Sequence, residues 1–186
     1  MKKHLFITII TAFLLLSCGD SKEEIQTIKI KGLYSIELPE YLTKTTGLDN
    51  SASLQYQNTL REVYIMVIDE PKSKLEKAIK ENALEDYYTP DLDGYAKLLN
   101  EGIETRASLD SVPQLISKKI NGLNAKTATF TGNSQGIDIY WSLAFIEGKN
   151  NYYQVMIWTL ADKKEQYKET MKAMINSFKE TNKSKK

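Results

Sequence analysis

The chain has 186 residues, with 25 basic side chains, 24 acidic ones, one histidine and one cysteine. This near-neutral balance, with only two arginines (Arg61 and Arg106), argues against nucleic-acid binding, which needs a basic stripe to displace counterions from phosphates. One cysteine excludes a framework of disulfide bonds, so stability must come from an ordinary hydrophobic core.

The first seventeen residues have the layout of a secretory signal peptide. Two lysines follow Met1, residues 5–16 are almost entirely apolar, and the small residue Ser17 comes next. As a helix, this apolar run would span about 18 Å, well short of the roughly 30 Å hydrocarbon core of a membrane. We therefore predict a signal peptide over residues 1–17 rather than a permanent transmembrane helix.

The residues that follow predict a lipid anchor. Leu15, Leu16, Ser17 and Cys18 resemble the lipobox of bacterial lipoproteins, in which the cysteine is acylated and becomes the first mature residue. The resemblance implies that Cys18 is an anchor with no catalytic role, and that residues 18–24 are a tether. The alternative is a free cysteine in an ordinary cleaved signal peptide. An acylated Cys18 would hold an otherwise soluble domain on a membrane.

The tether also bears on which membrane is used. Gly19 stands where an aspartate would resemble the inner-membrane retention signal of some Gram-negative bacteria, which favours the outer membrane. The segment "SKEE" (residues 21–24) resembles a surface-export signal of some Gram-negative lineages, the alternative being a solvated linker. We expect an outer-membrane lipoprotein that faces the periplasm or the cell surface.

Cleavage before Cys18 changes the chemical inventory. It removes Lys2, Lys3 and His4, which leaves 23 basic against 24 acidic residues, a formal charge of −1 and no histidine. Catalytic triads that need an imidazole base, and the usual zinc sites, are thereby excluded. Glycine motifs for phosphates or dinucleotides are absent from the sequence. The sequence predicts no cofactor and no metal, and any catalysis would depend on carboxylates, lysine or tyrosine.

The first half of the domain is predicted to contain four strands. Apolar residues alternate over residues 25–31 and 34–38, a pattern interrupted by Gly32 and ended by Pro39. Two further strands are predicted over "SASLQYQ" and "REVYIMVI", joined by Asn58 and Thr59. The last of these is apolar on both sides, so both of its faces must be covered.

Two helices are predicted next. After Pro71 the apolar spacing becomes helical, with one stripe formed by Leu75, Ala78, Ile79 and Ala83. A second helix is predicted with Thr89 as its N-cap and Pro90 at its first position. Its predicted buried stripe is Leu92, Tyr95, Leu99 and Ile103.

A meander of four strands follows, over "VPQLISKKI", "LNAKTATFT", "IDIYWSLAFI" and "NYYQVMIWTL". Asn121 and Gly122 predict a tight hairpin because both turn positions require positive φ, and Pro113 marks an edge strand. Alternation places Trp141 and Trp158 on one face and leaves further apolar residues on the other. Helices must therefore cover both faces of the sheet.

A last helix is predicted to begin with a capping box of Asp162 and Glu165. Its apolar stripe is Tyr167, Met171, Met174, Ile175 and Phe178. The predicted organisation is one α+β domain over residues 25–180 and a disordered tail over residues 181–186. The element order predicts an α/β/α sandwich, an antiparallel β-sheet flanked by helices on both faces.

Several segments resemble the PsbP-like family, whose fold is shared with the Mog family of Ran-binding proteins. They are "YSIELPEYL", "LDGYAKLLNEGI", the meander, and "YYQVMIWTLADKKEQYKETMKAMINSF", which together extend over nearly the whole mature chain. These are hydrophobic patterns and are specific for fold more than for function. The resemblance implies an accessory protein that binds a partner or stabilises a membrane complex, and it brings no catalytic motif.

The candidate site is the loop "EDYYTPDLDG", residues 85–94. We single out Tyr87, Tyr88, Asp91 and Asp93 as candidate partner-binding residues, because tyrosines are frequent interface anchors. The alternative is helix capping in a solvated turn. An EF-hand alignment of "DLDG" fails, because Thr89 and Asn100 occupy positions that need acids.

Two functions follow from the sequence. The first is a non-enzymatic envelope lipoprotein that binds or stabilises a protein partner and is attached to the membrane by its lipid anchor. The alternative is an envelope glycan hydrolase or lyase that uses two of Asp69, Glu70, Asp91 and Asp93. That chemistry needs two carboxyls about 5 to 10 Å apart across a cleft, one of them with a raised pKa.

Overall fold

A computed structural model describes residues 23–105 and 107–181. The predicted signal peptide, Cys18 and most of the tether lie outside these residues. The strands are β1 (Ile25–Ile30), β2 (Tyr34–Pro39), β3 (Thr43–Lys44), β4 (Leu54–Asn58), β5 (Val63–Pro71), β6 (Ser108–Leu109), β7 (Ile116–Ile120), β8 (Leu123–Ser134), β9 (Ile137–Glu147), β10 (Asn151–Leu160) and β11 (Lys179–Glu180). The helices are α1 (Lys72–Glu81), α2 (Leu92–Glu104) and α3 (Lys164–Ser177).

Eight strands form the main sheet, in the order β3-β4-β5-β10-β9-β8-β6, with β7 also paired to β8. All of its pairings are antiparallel. The other three strands, β1, β2 and β11, form a small sheet. Helices cover both faces of the main sheet, as predicted, so the fold is an α+β sandwich.

The register defines two ends of the main sheet. Val63 pairs with Thr159 at one end, and Pro71 pairs with Asn151 at the other. We call the end at Val63 the proximal end; it contains the β4–β5 and β8–β9 turns (residues 59–62 and 135–136). We call the end at Pro71 the distal end; it contains the β7–β8 and β9–β10 turns. At about 3.3 Å per residue, the nine residues of β5 separate the two ends by roughly 26 Å.

Each face of the main sheet has its own hydrophobic core. The side chains of β5 alternate between the two faces of the sheet, as predicted. Val63, Ile65 and Val67 are buried in one core, and the residues between them face the other way. That core is closed by α3 and β2, through side chains such as Met171 and Ile36. The opposite core is closed by α1 and α2. The predicted apolar stripe of α3 is buried throughout.

The predicted hairpin is confirmed. Asn121 and Gly122 have φ of 47° and 87°, the left-handed region that glycine and asparagine tolerate best. β7 and β8 pair directly on either side of them. The later turns use the glycines that the sequence indicated, with Gln135 and Gly136 at positive φ between β8 and β9.

The predicted ends of all three helices were wrong in detail. Asp91, not Thr89, caps α2, so Pro90 lies outside the helix. The helix α1 ends at Glu81, which leaves Ala83 beyond it at a φ of 52°. At the start of α3, a 3-10 turn (Ala161–Lys163) replaces the predicted capping box, and no side chain caps the helix.

The small sheet was not predicted. Its middle strand, β2, pairs with β1 on one side and with the two-residue β11 on the other. Beyond β11, the backbone N–H of Thr181 donates to the carbonyl of Leu33, 2.9 Å away. The rest of the predicted tail, residues 182–186, lies outside the described residues. Within the described residues, none of the helices has the length and apolar character needed to cross a bilayer.

Candidate functional site

A polar cleft of about 290 Å³ opens at the distal end of the main sheet, between the first turn of α2 and the strands β7, β8 and β9. We call it the distal cleft. It is lined by Asp91, Leu92, Asp93, Ser117, Lys118, Asn124, Ala125, Lys126 and Glu147. Two of the four predicted site residues, Asp91 and Asp93, are therefore part of it.

The carboxylate of Asp91 organises the wall that α2 contributes. Its Oδ1 accepts a hydrogen bond from the backbone N–H of Gly94 at 2.9 Å and another from the Thr89 hydroxyl at 2.6 Å. The Thr89 hydrogen bond, followed by that of Gly94, lowers the pKa of Asp91. Because Asp91 caps the helix, the alternative interpretation of this loop as a capping structure holds for that residue.

Gly94 lets the loop before α2 pack closely against the helix. A Cβ at this position would lie 1.9 Å from the carbonyl oxygen of Thr89. No side chain can be accommodated at that distance. Gly94 is therefore required for the tight turn that brings Asp91 and Asp93 together at the cleft.

Asp93 joins this wall to the strands. Its carboxylate forms an ion pair with the ammonium of Lys126 on β8, and the same ammonium donates to the Ser117 hydroxyl on β7 at 2.9 Å. The Asp93 side chain is 69% exposed and that of Lys126 only 21%. A shared lysine thus bridges α2, β8 and β7 across the cleft.

Glu147 is the acid at the opposite wall, at the end of β9. One of its oxygens accepts from Lys72 at 2.7 Å and the other from the Asn124 amide at 2.9 Å. The hydrogen bond from Asn124, and then that from Lys72, lower the pKa of Glu147. Lys72 also lies 5.2 Å from the centre of the Tyr152 ring. Glu147 is therefore held in its ionised form in a fixed orientation.

These contacts bear on the glycan hydrolase hypothesis. A general acid needs a raised pKa, whereas the pKa values of Asp91 and Glu147 are both lowered. Asp69 and Glu70 are consecutive on β5 and so lie on opposite faces of the sheet, away from the cleft lining. Glu70 is bound by Lys74 at 2.6 Å and by the Tyr95 hydroxyl at 2.9 Å. The lowered pKa values therefore argue against Asp91 and Glu147 as the general acid of such a reaction.

The two predicted tyrosines lie outside the distal cleft and differ from each other. Tyr87 is 66% exposed. Tyr88 is half-buried and packs on the core beneath α1 and α2. Its hydroxyl donates to the Glu101 carboxylate at 2.5 Å, and the centre of its ring lies 5.2 Å from the Lys97 ammonium. Tyr88 also lines a separate groove of about 210 Å³ beside the end of α1. Only Tyr87 has the exposure expected of an interface anchor.

Sequence reasoning missed Lys72, Asn124, Lys126 and Glu147. The sequence did indicate two of them. Asn124 follows the predicted Asn-Gly turn between β7 and β8, and Glu147 precedes the turn between β9 and β10. Turns at the same end of a meander bring such residues together. Among the described residues, no three histidine, cysteine or acidic side chains are grouped so that they could hold a metal ion.

No family model and no curated protein sequence matches the chain. Solved structures do match in shape. The cyanobacterial PsbP protein CyanoP of Synechocystis sp. PCC 6803 superposes with a TM-score of 0.52 at 13% identity, over 89% of this chain and 98% of its own. The Ran-binding protein Mog1p of Saccharomyces cerevisiae gives 0.53 at 10% identity, over 84% and 95%.

The chain has the PsbP-like fold. A third structure agrees with this: LpqN of Mycobacterium tuberculosis, a protein involved in cell envelope biogenesis, superposes with a TM-score of 0.50 at 8% identity, over 85% of this chain and 91% of its own. The resemblance found in the sequence is thus confirmed for the fold. Because these identities are low, the function must be argued from the site of this chain itself.

Proposed function

We propose that this PsbP-like domain is a lipid-anchored, non-enzymatic accessory protein of the cell envelope, which binds or stabilises a protein partner through the distal cleft and Tyr87. The observation that carries the proposal is the charge pattern of the cleft. Its acids, Asp91, Asp93 and Glu147, are each paired with a fixed donor or cation. Fixed, balanced charges suit recognition of a polar protein surface.

Two further features support a binding role. Mog1p, which shares the fold, is a Ran-binding protein, and LpqN is involved in cell envelope biogenesis. Tyr87 adds an exposed aromatic ring on the loop that leads into the cleft. Aromatic anchors beside a polar rim are the usual composition of protein interfaces.

The proposed location follows from the N-terminal sequence. We propose that Cys18 carries acyl chains and that Gly19 directs the protein to the outer membrane. The described residues begin at Glu23, five positions after Cys18. The domain would therefore remain close to the bilayer, facing the periplasm or the cell surface.

The binding proposal is tested by photo-crosslinking in native envelope membranes. A photo-reactive residue at Ser117, in the cleft lining, is introduced into the full-length chain. We expect a discrete crosslinked product that falls by about tenfold or more in the Asp93→Lys variant, since loss of an interface anchor costs about 1.4 kcal/mol or more. The matched control is Glu169→Lys on α3. Glu169 is also an exposed acid paired with a lysine, in this case Lys172, and reversing its charge should leave the product unchanged.

Two results would contradict this proposal. One is an equal loss of the product in both charge-reversal variants, which would mean that overall charge and not the cleft governs binding. The other is turnover of an envelope glycan by the purified domain that is abolished by replacing one carboxylate of the cleft. That second result would establish the hydrolase hypothesis instead.

A further inference from the structure

The N-terminal end of the described chain lies against the proximal end of the main sheet. The Glu23 carboxylate is 3.8 Å from the Arg61 guanidinium in the β4–β5 turn, and it accepts from the Thr170 hydroxyl on α3 at 3.3 Å. Arg61 is itself held 4.1 Å from the centre of the Tyr41 ring. The tether therefore meets the domain at this turn, at the end opposite to the distal cleft.

The length of the tether limits how far this end can stand from a membrane. Cys18 and Glu23 are separated by five residue steps, which span at most about 18 Å when fully extended. If Cys18 is acylated, as the proposed function requires, Glu23, which contacts the β4–β5 turn through Arg61, must lie within about that distance of the headgroups. The distal cleft lies roughly 26 Å further along the sheet.

The proximal end carries exposed apolar side chains. Leu60, next to Arg61 in the β4–β5 turn, is 92% exposed, the highest value among the large hydrophobic residues described. Ile137, at the start of β9 on the same end, is 52% exposed, and Ile25, just after the tether, is 51% exposed. A leucine at the tip of a hairpin gains free energy by entering the interfacial layer of a bilayer.

Charges near Leu60 are balanced. Arg61 and Lys163 are cationic, and their anionic neighbours in sequence are Glu62 and Asp162. The ammonium of Lys163 donates to the carbonyl of Arg61 at 3.4 Å, so these groups lie on one surface. This balance gives the surface little attraction for anionic lipids, so any contact with a bilayer here would depend on apolar side chains.

We infer that the proximal end is a lipid-facing surface, on which Leu60 enters the interface of the bilayer that holds the acylated Cys18. The inference rests on the proposed lipid anchor and adds an orientation to it. The anchor supplies the affinity, and Leu60 fixes which end of the domain touches the membrane. The distal cleft is thereby presented to partners outside the bilayer.

The experiment uses the full-length lipidated protein in vesicles of a zwitterionic phosphatidylcholine. Since the chain has one cysteine and that residue would be acylated, a cysteine introduced elsewhere is the only free thiol. An environment-sensitive fluorophore is attached to Leu60→Cys, to Ile137→Cys, or to the control Lys149→Cys, an exposed position in the distal β9–β10 turn. We expect nitroxide-labelled lipid to quench the label most at position 60, less at 137 and least at 149, with the opposite order for aqueous iodide.

The outcomes separate this inference from the anchor itself. Failure of the protein to float with the vesicles overturns the anchor and this inference together. Flotation with positions 60 and 149 equally quenched by iodide overturns only the lipid-facing surface. A label at position 60 that is shielded from iodide but not quenched by nitroxide lipid would indicate contact with a second copy or another protein, and would also overturn it.

Discussion

At the scale of single residues, the two tryptophans show how one sheet face can hold side chains of unequal burial. Trp141 and Trp158 lie on one face of the sheet, as the alternation predicted, and the structure pairs them directly across β9 and β10. Trp141 is only 8% exposed and stacks on Phe130, with ring centres 5.2 Å apart. Trp158 is half-buried and stacks on Tyr64 at 5.3 Å, nearer the open side of the core.

We expect the two alanine variants to differ in stability. Trp141→Ala should lower the free energy of unfolding by about 3 to 5 kcal/mol, the usual loss for a large buried aromatic side chain. Trp158→Ala should cost less, because part of its ring is already in contact with solvent. Urea unfolding, followed by far-UV circular dichroism, gives both values, and equal midpoints for the two variants would contradict the difference in burial.

Glu147 predicts a pH-dependent contribution to stability. Its pKa lies below the ordinary value of 4.5, so the folded state favours the ionised form more than the unfolded chain does. The contribution is present above pH 4.5 and is lost as the pH falls through the folded-state pKa. We therefore expect Glu147→Gln to destabilise the protein near neutral pH, by an amount that shrinks as the pH falls below 4.5 and through the lowered folded-state pKa.

The matched variant for this prediction is Lys72→Met/Glu147→Gln, measured against Lys72→Met. The hydrogen bond from Asn124, which is the larger cause of the lowered pKa, remains in the Lys72→Met background. The pH-dependent difference should therefore become smaller there without disappearing. A difference between wild type and Glu147→Gln that grows as the pH falls would have the wrong sign and would contradict the prediction.

At the scale of elements, the β7–β8 turn also holds the end of α3. The Asn121 amide donates to the backbone carbonyls of Asn176 and Phe178, at 2.8 Å each. Both carbonyls are at the C-terminal end of α3, where backbone carbonyls have no N–H donor within the helix. One asparagine therefore serves a hairpin and a helix that are more than fifty residues apart in sequence.

Two substitutions at Asn121 separate its two roles. Asn121→Gly keeps the left-handed backbone but loses both hydrogen bonds, which should cost about 1 to 2 kcal/mol. Asn121→Ala loses the hydrogen bonds and also places a Cβ at positive φ, which should add about 1 kcal/mol. Thermal unfolding of both variants measures the difference, and an alanine variant as stable as the glycine variant would show that the backbone carries no strain.

The elements that could be predicted from the sequence are those with a strong repeating pattern or a specific turn. The alternation of Val63, Ile65 and Val67 and the Asn121–Gly122 turn were sufficient for β5 and the β7–β8 hairpin, whereas the short strands β3 and β6 and the strand order were not predicted. The two-residue strand β11 is too short to have a periodicity, so the small sheet was missed. Thr89 and Asp91 are both good N-caps, and the choice between them depends on how the loop folds back on Gly94, a local packing that residue preferences alone do not specify. The meander indicated that Asn124 and Glu147 lie at the same end of the sheet, but the contact of Glu147 with Lys72 depends on how α1 packs against the sheet, which no local pattern shows.

At the scale of the whole molecule, the main sheet separates two surfaces with different chemistry. The distal end holds paired charges, in Asp93, Lys126 and Glu147, while the proximal end holds Leu60 and receives the tether at Glu23. Since β5 runs between these ends, it would hold the proposed membrane-facing surface and the proposed partner-binding cleft about one strand length apart. Under the proposed function, the domain would need no change of shape to use both surfaces.

The proposed attachment to the membrane depends on Cys18. Cys18→Ser should release the chain from the membrane fraction, because serine provides no thiol for acylation. The midpoint of thermal unfolding should stay within about 2 °C of the wild-type value. The buried core of the described residues begins only at Tyr34, and one surface substitution rarely changes stability by more than about 0.5 kcal/mol. Gly19→Asp is the matched control, which should keep the chain on membranes but move it from the outer to the inner membrane fraction. A Cys18→Ser chain that still sediments with membranes after a high-salt wash would show that the domain is held by something other than the lipid anchor.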